Sequence, residues 1–214
     1  MTFLAGLILI LSATCANQEG ERLNVAGCER AADFDFVQAA ALFSDAVTAD
    51  PQCHLLHLNL ANAYLHAGQL VEARRELEKL EGASGQDPYF EYLYGMLLLR
   101  ERHEEEAADH FRAVLRIDPG DSASFCQLGL IEFHRGNLNP AVEYFDDALR
   151  CDPSNMIALY NAARALKALG RDARSQELME RFKTLKAAQR PMPGGGMGEP
   201  YLIPGKYASL HCDG

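Results

Sequence analysis

Residues 122–155 read SASFCQLGLIEFHRGNLNPAVEYFDDALRCDPSN, and the features of this segment return along the chain every 34 residues. Alanines share one position of the period: Ala39, Ala73, Ala107 and Ala141. Four residues later stand large apolar side chains: Phe43, Leu77, Phe111 and Phe145. Twelve residues after each alanine come Pro51, Gly85, Pro119 and Pro153. A second series of small residues runs in step, through Gly27, Ala61, Gly95, Gly129 and Ala163. A period this strict indicates an array of one repeated supersecondary unit.

Each unit is predicted to be a pair of antiparallel helices, because no alternating strand pattern competes with the helical one. The turn between the helices is expected near Gly68, Arg102, Gly136 and Gly170. Glycine adopts a positive φ without a Cβ clash, which suits such a turn. Small residues such as Gly129 and Ala141 are predicted to let the paired helices approach, Phe145 to fill the space between one hairpin and the next, and Pro153 to end the second helix. One hairpin cannot bury its apolar face alone, so we expect the hairpins to stack.

These residues resemble the tetratricopeptide repeat, whose pattern is W-x₂-L-G-x₂-Y, A-x₃-F and P over 34 positions. The matching residues of the fourth unit are Phe125, Leu128, Gly129, Gly136, Ala141, Phe145, Ala148 and Pro153. The resemblance implies an all-α fold, an α-α superhelix or right-handed solenoid of about five hairpins. The units are residues 20–53, 54–87, 88–121, 122–155 and 156–189. Departures such as Phe34 and Ser175 fall in the terminal units, which lack one neighbour.

The charge of the chain is unevenly distributed. The net charge is −10, and residues 1–120 hold 19 acidic and 9 basic residues. This excess of acid argues against nucleic-acid binding, which requires cations to displace counterions from phosphates. Residues 156–190 carry 8 basic and 3 acidic side chains. Two interpretations stay open for this segment: a solvated last helix, or a basic surface that binds an acidic partner.

The N-terminus is typical of an export signal. An uncharged apolar run, Phe3–Leu11, precedes the small residues around Ala16. Such a run is too short to span a bilayer but has the length of a signal-peptide core, so residues 1–16 are predicted to be a cleaved signal. A competing interpretation resembles a bacterial lipoprotein signal, in which Cys15 carries lipid and anchors the chain. We expect the protein in the periplasm or bound to the envelope of a bacterium; the alternative is a cytoplasmic protein.

The other cysteines and the C-terminal segment give weaker indications. Cys28, Cys53, Cys126, Cys151 and Cys212 are expected to be mainly unpaired, with Cys151 in the core. A Cys126–Cys151 disulfide is the alternative, because antiparallel packing brings the ends of their helices together. Residues 190–214 begin with a run rich in glycine and proline and are predicted to form a flexible tail.

No catalytic constellation is present in the sequence. His54 and His57 are three residues apart, a spacing that permits shared metal ligation, but His57 occupies the large packing position of the repeat. His103 and His110 flank Glu104–Glu106 and are predicted to lie on a solvated helix face. We therefore expect a protein that is not an enzyme and has no cofactor and no metal.

Protein binding is the remaining class of activity. In tetratricopeptide proteins the first helices line a concave groove, and transferring the groove positions one by one gives candidates for contact with a peptide. They are Asn59, Asn62, Tyr92, Met96, Arg100, Gln127, His134, Tyr160, Asn161, Arg164 and Lys167. Amide side chains of this set suit a peptide backbone, and Tyr92 and Met96 suit an apolar anchor. The resemblance thus implies a non-catalytic scaffold for an unidentified protein or peptide. The alternatives are a cytosolic adaptor, or an accessory domain of a longer protein or enzyme.

Overall fold

The computed structural model describes residues 17–80 and 86–188. Within these ranges the chain forms helices and no strand. The helices are α1 (Gln18–Ala32), α2 (Phe36–Ala49), α3 (His54–His66), α4 (Leu70–Glu78), α5 (Pro88–Arg100), α6 (Glu104–Ile117), α7 (Ser122–His134), α8 (Leu138–Cys151), α9 (Met156–Ala168) and α10 (Asp172–Ala188). The prediction of an all-α fold of consecutive helical hairpins is confirmed.

The helices belong to two compact units whose boundary lies between Glu76 and Leu77, inside α4. In the first unit α1 packs on α2 and α2 packs on α3. In the second unit each helix from α6 to α10 packs on the one before it, and α7 also contacts α9. The first helices of successive hairpins are therefore neighbours in the second unit.

The turns inside the hairpins lie where the period places them. Among the described residues, those with positive φ are Phe34, Gly68, Arg102, Gly136 and Gly170, with φ between 61° and 81°. Glycine occupies three of these positions at no steric cost, whereas Phe34 and Arg102 hold a conformation that L side chains rarely adopt. The four predicted turn positions are confirmed; Arg102 among them is strained, as is Phe34 in the turn of the first hairpin.

Close contact between a glycine and a phenylalanine joins the two helices of a hairpin. A Cβ added at Gly129 would lie 2.6 Å from Cε1 of Phe145, and one at Gly27 would lie 2.6 Å from Cε1 of Phe43. Both phenylalanines are fully buried. The close approach that the small residues predicted is thus present in the structure, and the phenylalanine ring occupies the space that a side chain would need.

The first helices begin at capping residues that also recur every 34 residues. Side chains of Asp87, Asp121 and Asn155 accept hydrogen bonds from backbone N–H groups at the starts of α5, α7 and α9. Asn155 also donates to Ser122 Oγ at 2.8 Å, which ties the start of α9 to the start of α7. Burial raises the pKa of Asp121, although its hydrogen bonds from Ser124 oppose the shift.

The cysteines differ from the sequence-based expectation in two ways: Cys28 and Cys53 are bonded, and Cys151 is exposed. Cys28 and Cys53 are each disulfide-bonded, so the prediction of unpaired thiols was wrong for them. Cys126 and Cys151 are free, so the alternative Cys126–Cys151 disulfide is absent. Cys151 is exposed rather than in the core, because the last residue of its helix extends past the packed layer, as Ile117 does one repeat earlier. Cys126 is buried as expected, and burial raises the pKa of its thiol.

The predicted signal (residues 1–16, with Cys15) and the predicted tail (residues 190–214) lie outside the described residues. Among the helices that the structure describes, none has the length and apolar character that crossing a membrane would require.

Candidate functional site

The predicted groove residues lie on the first helices α3, α5, α7 and α9 and differ widely in exposure. Those on the surface are Arg100, His134, Arg164 and Lys167. Two are partly buried, Met96 and Tyr160. The others are buried: Asn59, Asn62, Tyr92, Gln127 and Asn161. Asn59 and Asn62 belong to the first unit and the rest to the second, so each unit is described separately.

In the first unit the two asparagines of α3 face the interior. Asn59 is 0% exposed, and its Nδ2 donates to Asn24 Oδ1 of α1 at 2.8 Å. Asn62 is also buried. Asn59 therefore bonds to a neighbouring helix, as a buried polar group must to offset the loss of water.

His57 of the first unit packs between two acceptors. Its Nδ1 lies 2.8 Å from Oε2 of Glu76 on α4, and its Nε2 lies 3.1 Å from the carbonyl oxygen of Pro51. Both side chains are nearly buried. The large packing position of the repeat is thus filled by an imidazole that links α3 to α4, and no group of three or more His, Cys, Asp or Glu in residues 17–80 and 86–188 is arranged to hold a metal ion.

In the second unit a buried glutamine bridges α7 and α5. Gln127 Nε2 lies 2.9 Å from Met96 Sδ and donates to Tyr92 Oη at 3.4 Å. Tyr92 also meets Phe111 edge-on, with ring centroids 5.6 Å apart. Burial raises the pKa of the Tyr92 phenol, so the hydroxyl stays protonated at neutral pH. These contacts fix the spacing of the first helices rather than present side chains to a ligand.

The bridges in the two units are equivalent. Asn24 and Asn59 are 35 residues apart, as are Tyr92 and Gln127. Because the period is 34 residues, the second residue of each pair lies in the following repeat, one repeat position after that of the first residue. The 34-residue period predicts which helix face these residues share. Whether each one is buried depends on the side chain that faces it from the neighbouring helix.

Arg164 of α9 is held against aromatic rings on the same face of the second unit. Its guanidinium carbon lies 4.9 Å from the ring centroid of Phe133 on α7 and 5.5 Å from that of Tyr160. One of its N–H groups donates to Asn161 Oδ1 at 3.2 Å. Phe133 was absent from the predicted set, although it occupies a groove position of its repeat, and the position alone could have identified it. We name Phe133, Tyr160, Arg164 and Lys167 the Arg164 surface.

His110 is a second departure from the sequence-based expectation. It was predicted on a solvated face, but its Nδ1 lies 2.6 Å from Oε2 of Glu91 and its ring stacks on Tyr94 with centroids 4.9 Å apart. Glu91 and His110 are 19 residues apart, as are His57 and Glu76 in the preceding repeat. The two repeats thus hold the same His–Glu contact, with the partners exchanged between the first and second helix.

Family comparisons detect the repeat in both parts of the chain. A model described as "Tetratricopeptide repeat" matches residues 30–97, and a second with the same description matches residues 126–189. Superkiller protein 3 of Saccharomyces cerevisiae is 28% identical over 115 residues, which are 54% of this chain and 8% of that protein. Tetratricopeptide repeat protein 6 of Homo sapiens is 26% identical over 130 residues, 60% of this chain and 24% of that protein. The chain therefore spans less than a quarter of the length of either relative.

Solved structures share the fold at low identity. Pseudomonas aeruginosa pilF aligns with a TM-score of 0.68 and 19% identity, covering 81% of this chain and 78% of that one. MamA aligns with a TM-score of 0.61 and 17% identity, covering 75% of this chain and 94% of that one. YrrB, described as a TPR protein with an unusual peptide-binding site, aligns with a TM-score of 0.54 and 17% identity over 78% of this chain and 86% of that one. At 17–19% identity, these alignments show that the fold is shared.

Proposed function

Because this chain is a tetratricopeptide repeat protein, we propose that it is a non-catalytic scaffold that binds an extended peptide segment of a partner along the first helices of its second unit. The observation that carries the proposal is the pairing of rigid and exposed residues on α5, α7 and α9. Gln127, Tyr92 and Met96 fix the helices, while Arg100, His134, Arg164 and Lys167 remain exposed beside them. A rigid surface with exposed polar side chains binds without the cost of ordering loops.

The fold supports this class of activity. Tetratricopeptide proteins commonly mediate contacts with proteins or peptides, and YrrB is described as having a peptide-binding site. Its 17% identity to this chain carries no residue-level assignment, so the binding residues proposed here rest on this chain's own exposure and contacts.

The peptide-binding proposal is tested by charge reversal. Arg164→Glu with Lys167→Glu should lower capture of the partner from an envelope fraction while circular dichroism keeps the wild-type helicity. The matched control reverses Arg174 and Arg181, which lie on α10 and contact Asp146 and the carbonyl oxygen of Pro153. Equal capture by both double variants would exclude the α9 face as the binding surface.

We further propose that the protein acts in a bacterial envelope, after export through its first 16 residues. Disulfide-bonded Cys28 and Cys53 support this location, because disulfides persist in oxidising compartments. Membrane fractionation with the mass of the mature N-terminus tests it. A soluble chain that begins at Asn17 supports cleavage, a diacylglycerol mass on Cys15 supports lipid anchoring, and an intact N-terminus in the cytosol supports the cytosolic adaptor.

The alternative role of an accessory domain has one specific observation in its favour. The chain covers only 8% and 24% of the lengths of two curated relatives, so these repeats also occur within much longer proteins. The genomic reading frame on both sides of the sequence decides this alternative.

A further inference from the structure

The charged side chains of the α9–α10 hairpin fall into two groups. Arg174 and Lys183 form ion pairs, with Asp146 at 2.6 Å and with Glu180 at 2.7 Å, whereas Arg171 donates to the neutral amide oxygen of Asn139 at 2.9 Å. Arg164 and Lys167, like Arg171, make no ion pair with any residue in the part of the chain that the structure describes, and Arg164 donates to the neutral amide oxygen of Asn161. Both are exposed and stand three residues apart on α9, so they lie on the same helix face.

Acidic side chains of the neighbouring helix do not neutralise these two cations. On α7, Glu132 lies next to Phe133, but its carboxylate receives Arg135 at 3.4 Å and Asn137 Nδ2 at 2.8 Å. The Arg164 surface therefore carries two positive charges in the half of the protein where basic residues balance acidic ones, although the whole chain carries a net charge of −10.

The aromatic rings prepare Arg164 for an anionic ligand. A guanidinium held over two rings has lost most of its rotamer freedom before a ligand arrives, which reduces the entropy cost of binding. Its planar fork of N–H groups matches a carboxylate, and the aliphatic and aromatic surface around it suits an apolar neighbour of that carboxylate. The ring series extends from Tyr160 to Phe182 of α10, whose centroid is 5.3 Å away.

From this geometry we infer that the Arg164 surface recognises an aspartate or glutamate side chain of the bound peptide, next to an apolar residue that contacts Phe133 and Tyr160. This inference rests on the proposed peptide-binding function and specifies the chemical class of its partner. Arg164 binds the carboxylate directly, and Lys167 adds a second, more mobile positive charge one turn further along α9.

The test starts from a library of random peptides displayed on phage and selected against the full chain. We expect sequences with an acidic residue beside an apolar one to be enriched. For the best synthetic peptide, replacing its Asp or Glu by Asn or Gln should weaken binding about tenfold, the loss of roughly one charge-assisted hydrogen bond. Arg164→Gln should cause a loss of similar size, and Lys167→Gln a smaller one.

Arg174→Gln is the matched control, because it removes the same charge from the same hairpin outside the Arg164 surface. Its affinity for the peptide should equal that of the wild type, and circular dichroism should show equal helicity for all variants. Enriched neutral peptides that bind wild type and Arg164→Gln equally, yet are lost on substitution of Arg100 or His134, would overturn acidic recognition and leave the proposed function standing. Enriched peptides indifferent to every substitution on α5, α7 and α9 would overturn both.

Discussion

Single residues at the closest helix contacts limit what the repeat tolerates. At Gly129 a methyl group would lie 2.6 Å from the Phe145 ring, and the ring is fully buried with no space to move into. Gly129→Ala should therefore lower the free energy of unfolding by about 1–3 kcal/mol, as overpacked cores do. Urea titration measures the loss.

The control for this change is Gly120→Ala, since an added Cβ there would come no closer than 3.5 Å to another atom. Its stability should stay within about 0.5 kcal/mol of the wild type. In the double variant Gly129→Ala/Phe145→Leu, the smaller leucine leaves room for the added methyl group, so part of the lost stability should return. If no stability returns, the Phe145 ring is not what opposes the methyl group.

Arg102 is strained where the neighbouring repeats have glycine. Its φ is 71°, close to the 75° of Gly68 and the 81° of Gly136 in the equivalent turns. Arg102→Gly should raise the free energy of unfolding by about 0.5–1 kcal/mol, because relief of the strain exceeds the entropy cost of glycine. Glu101→Gly in the same turn, where φ is −87°, should bring no gain. Thermal unfolding of both variants distinguishes strain relief from a general effect of glycine.

Asp121 makes stability depend on pH. Because burial raises its pKa in the folded state, its contribution to stability is complete below the unfolded pKa and is lost as pH rises through the folded pKa. Asp121→Asn keeps the cap and removes the charge, as Asn155 does one repeat later. The variant should gain stability relative to wild type between about pH 4 and pH 7.

Urea midpoints at both pH values measure this gain. Asp121→Ala, which loses the cap hydrogen bond to Ser124 N, should instead be less stable by about 1 kcal/mol or more at both pH values. If the stability difference between Asp121→Asn and the wild type is the same at both pH values, Asp121 does not titrate in this range.

The exchanged His–Glu contacts join the first and second helices of two adjacent hairpins. Glu91→His would oppose two imidazoles across α5 and α6, and His110→Glu would oppose two carboxylates, so each single variant should be less stable. The double variant restores the arrangement seen at His57 and Glu76 and should recover part of the loss, less the stacking of His110 on Tyr94. We expect a coupling energy of about 1–3 kcal/mol from a double-mutant cycle. Additive losses would show that the pair contributes nothing.

Hairpin architecture could be predicted from the sequence because its determinants recur. Gly129, Phe145 and the positive-φ turns occupy fixed positions of a 34-residue period, and the period reports them directly. Burial of Tyr92 and Gln127 could not be predicted in this way. The repeat position defines the helix face, but coverage depends on the size of the side chain opposite, which the period does not specify.

The same limit applies to the other departures. His110 was assigned to solvent from its acidic sequence neighbours, whereas its partner Glu91 stands on another helix. The disulfide bonding of Cys28 and of Cys53 could not be predicted either, because the position of a cysteine in the repeat does not say whether it meets another thiol. Phe133 could have been predicted as a groove residue, since it occupies the same repeat position as Lys167, which was in the predicted set.

For the whole molecule, the four described cysteines divide into two chemical states. Cys151 is exposed and free, Cys126 is buried and free, and Cys28 and Cys53 are disulfide-bonded. Alkylation of the native protein should therefore modify Cys151 alone among the four. Unfolding in urea without reductant should add Cys126, and reduction should then add Cys28 and Cys53, as peptide mass mapping will show.

Reduction should also act on one unit more than the other, because Cys28 and Cys53 both belong to the first unit. Hydrogen exchange in α1–α3 should accelerate under reductant, while α7–α9, whose free thiols need no reduction, should exchange as before. Alkylation of Cys28 or Cys53 in urea without reductant would contradict the assignment, as would equal acceleration in both units.

The inverted order of histidine and glutamate in adjacent repeats restricts how a gene for this chain can be rearranged. Duplication or deletion of whole repeats preserves each His–Glu match, because both partners lie in one hairpin. An unequal crossover with its breakpoint in a turn would join α3 to α6 and place His57 against His110, while the reciprocal product would place Glu91 against Glu76. Recombination between these two repeats is thereby confined to breakpoints at the borders of hairpins.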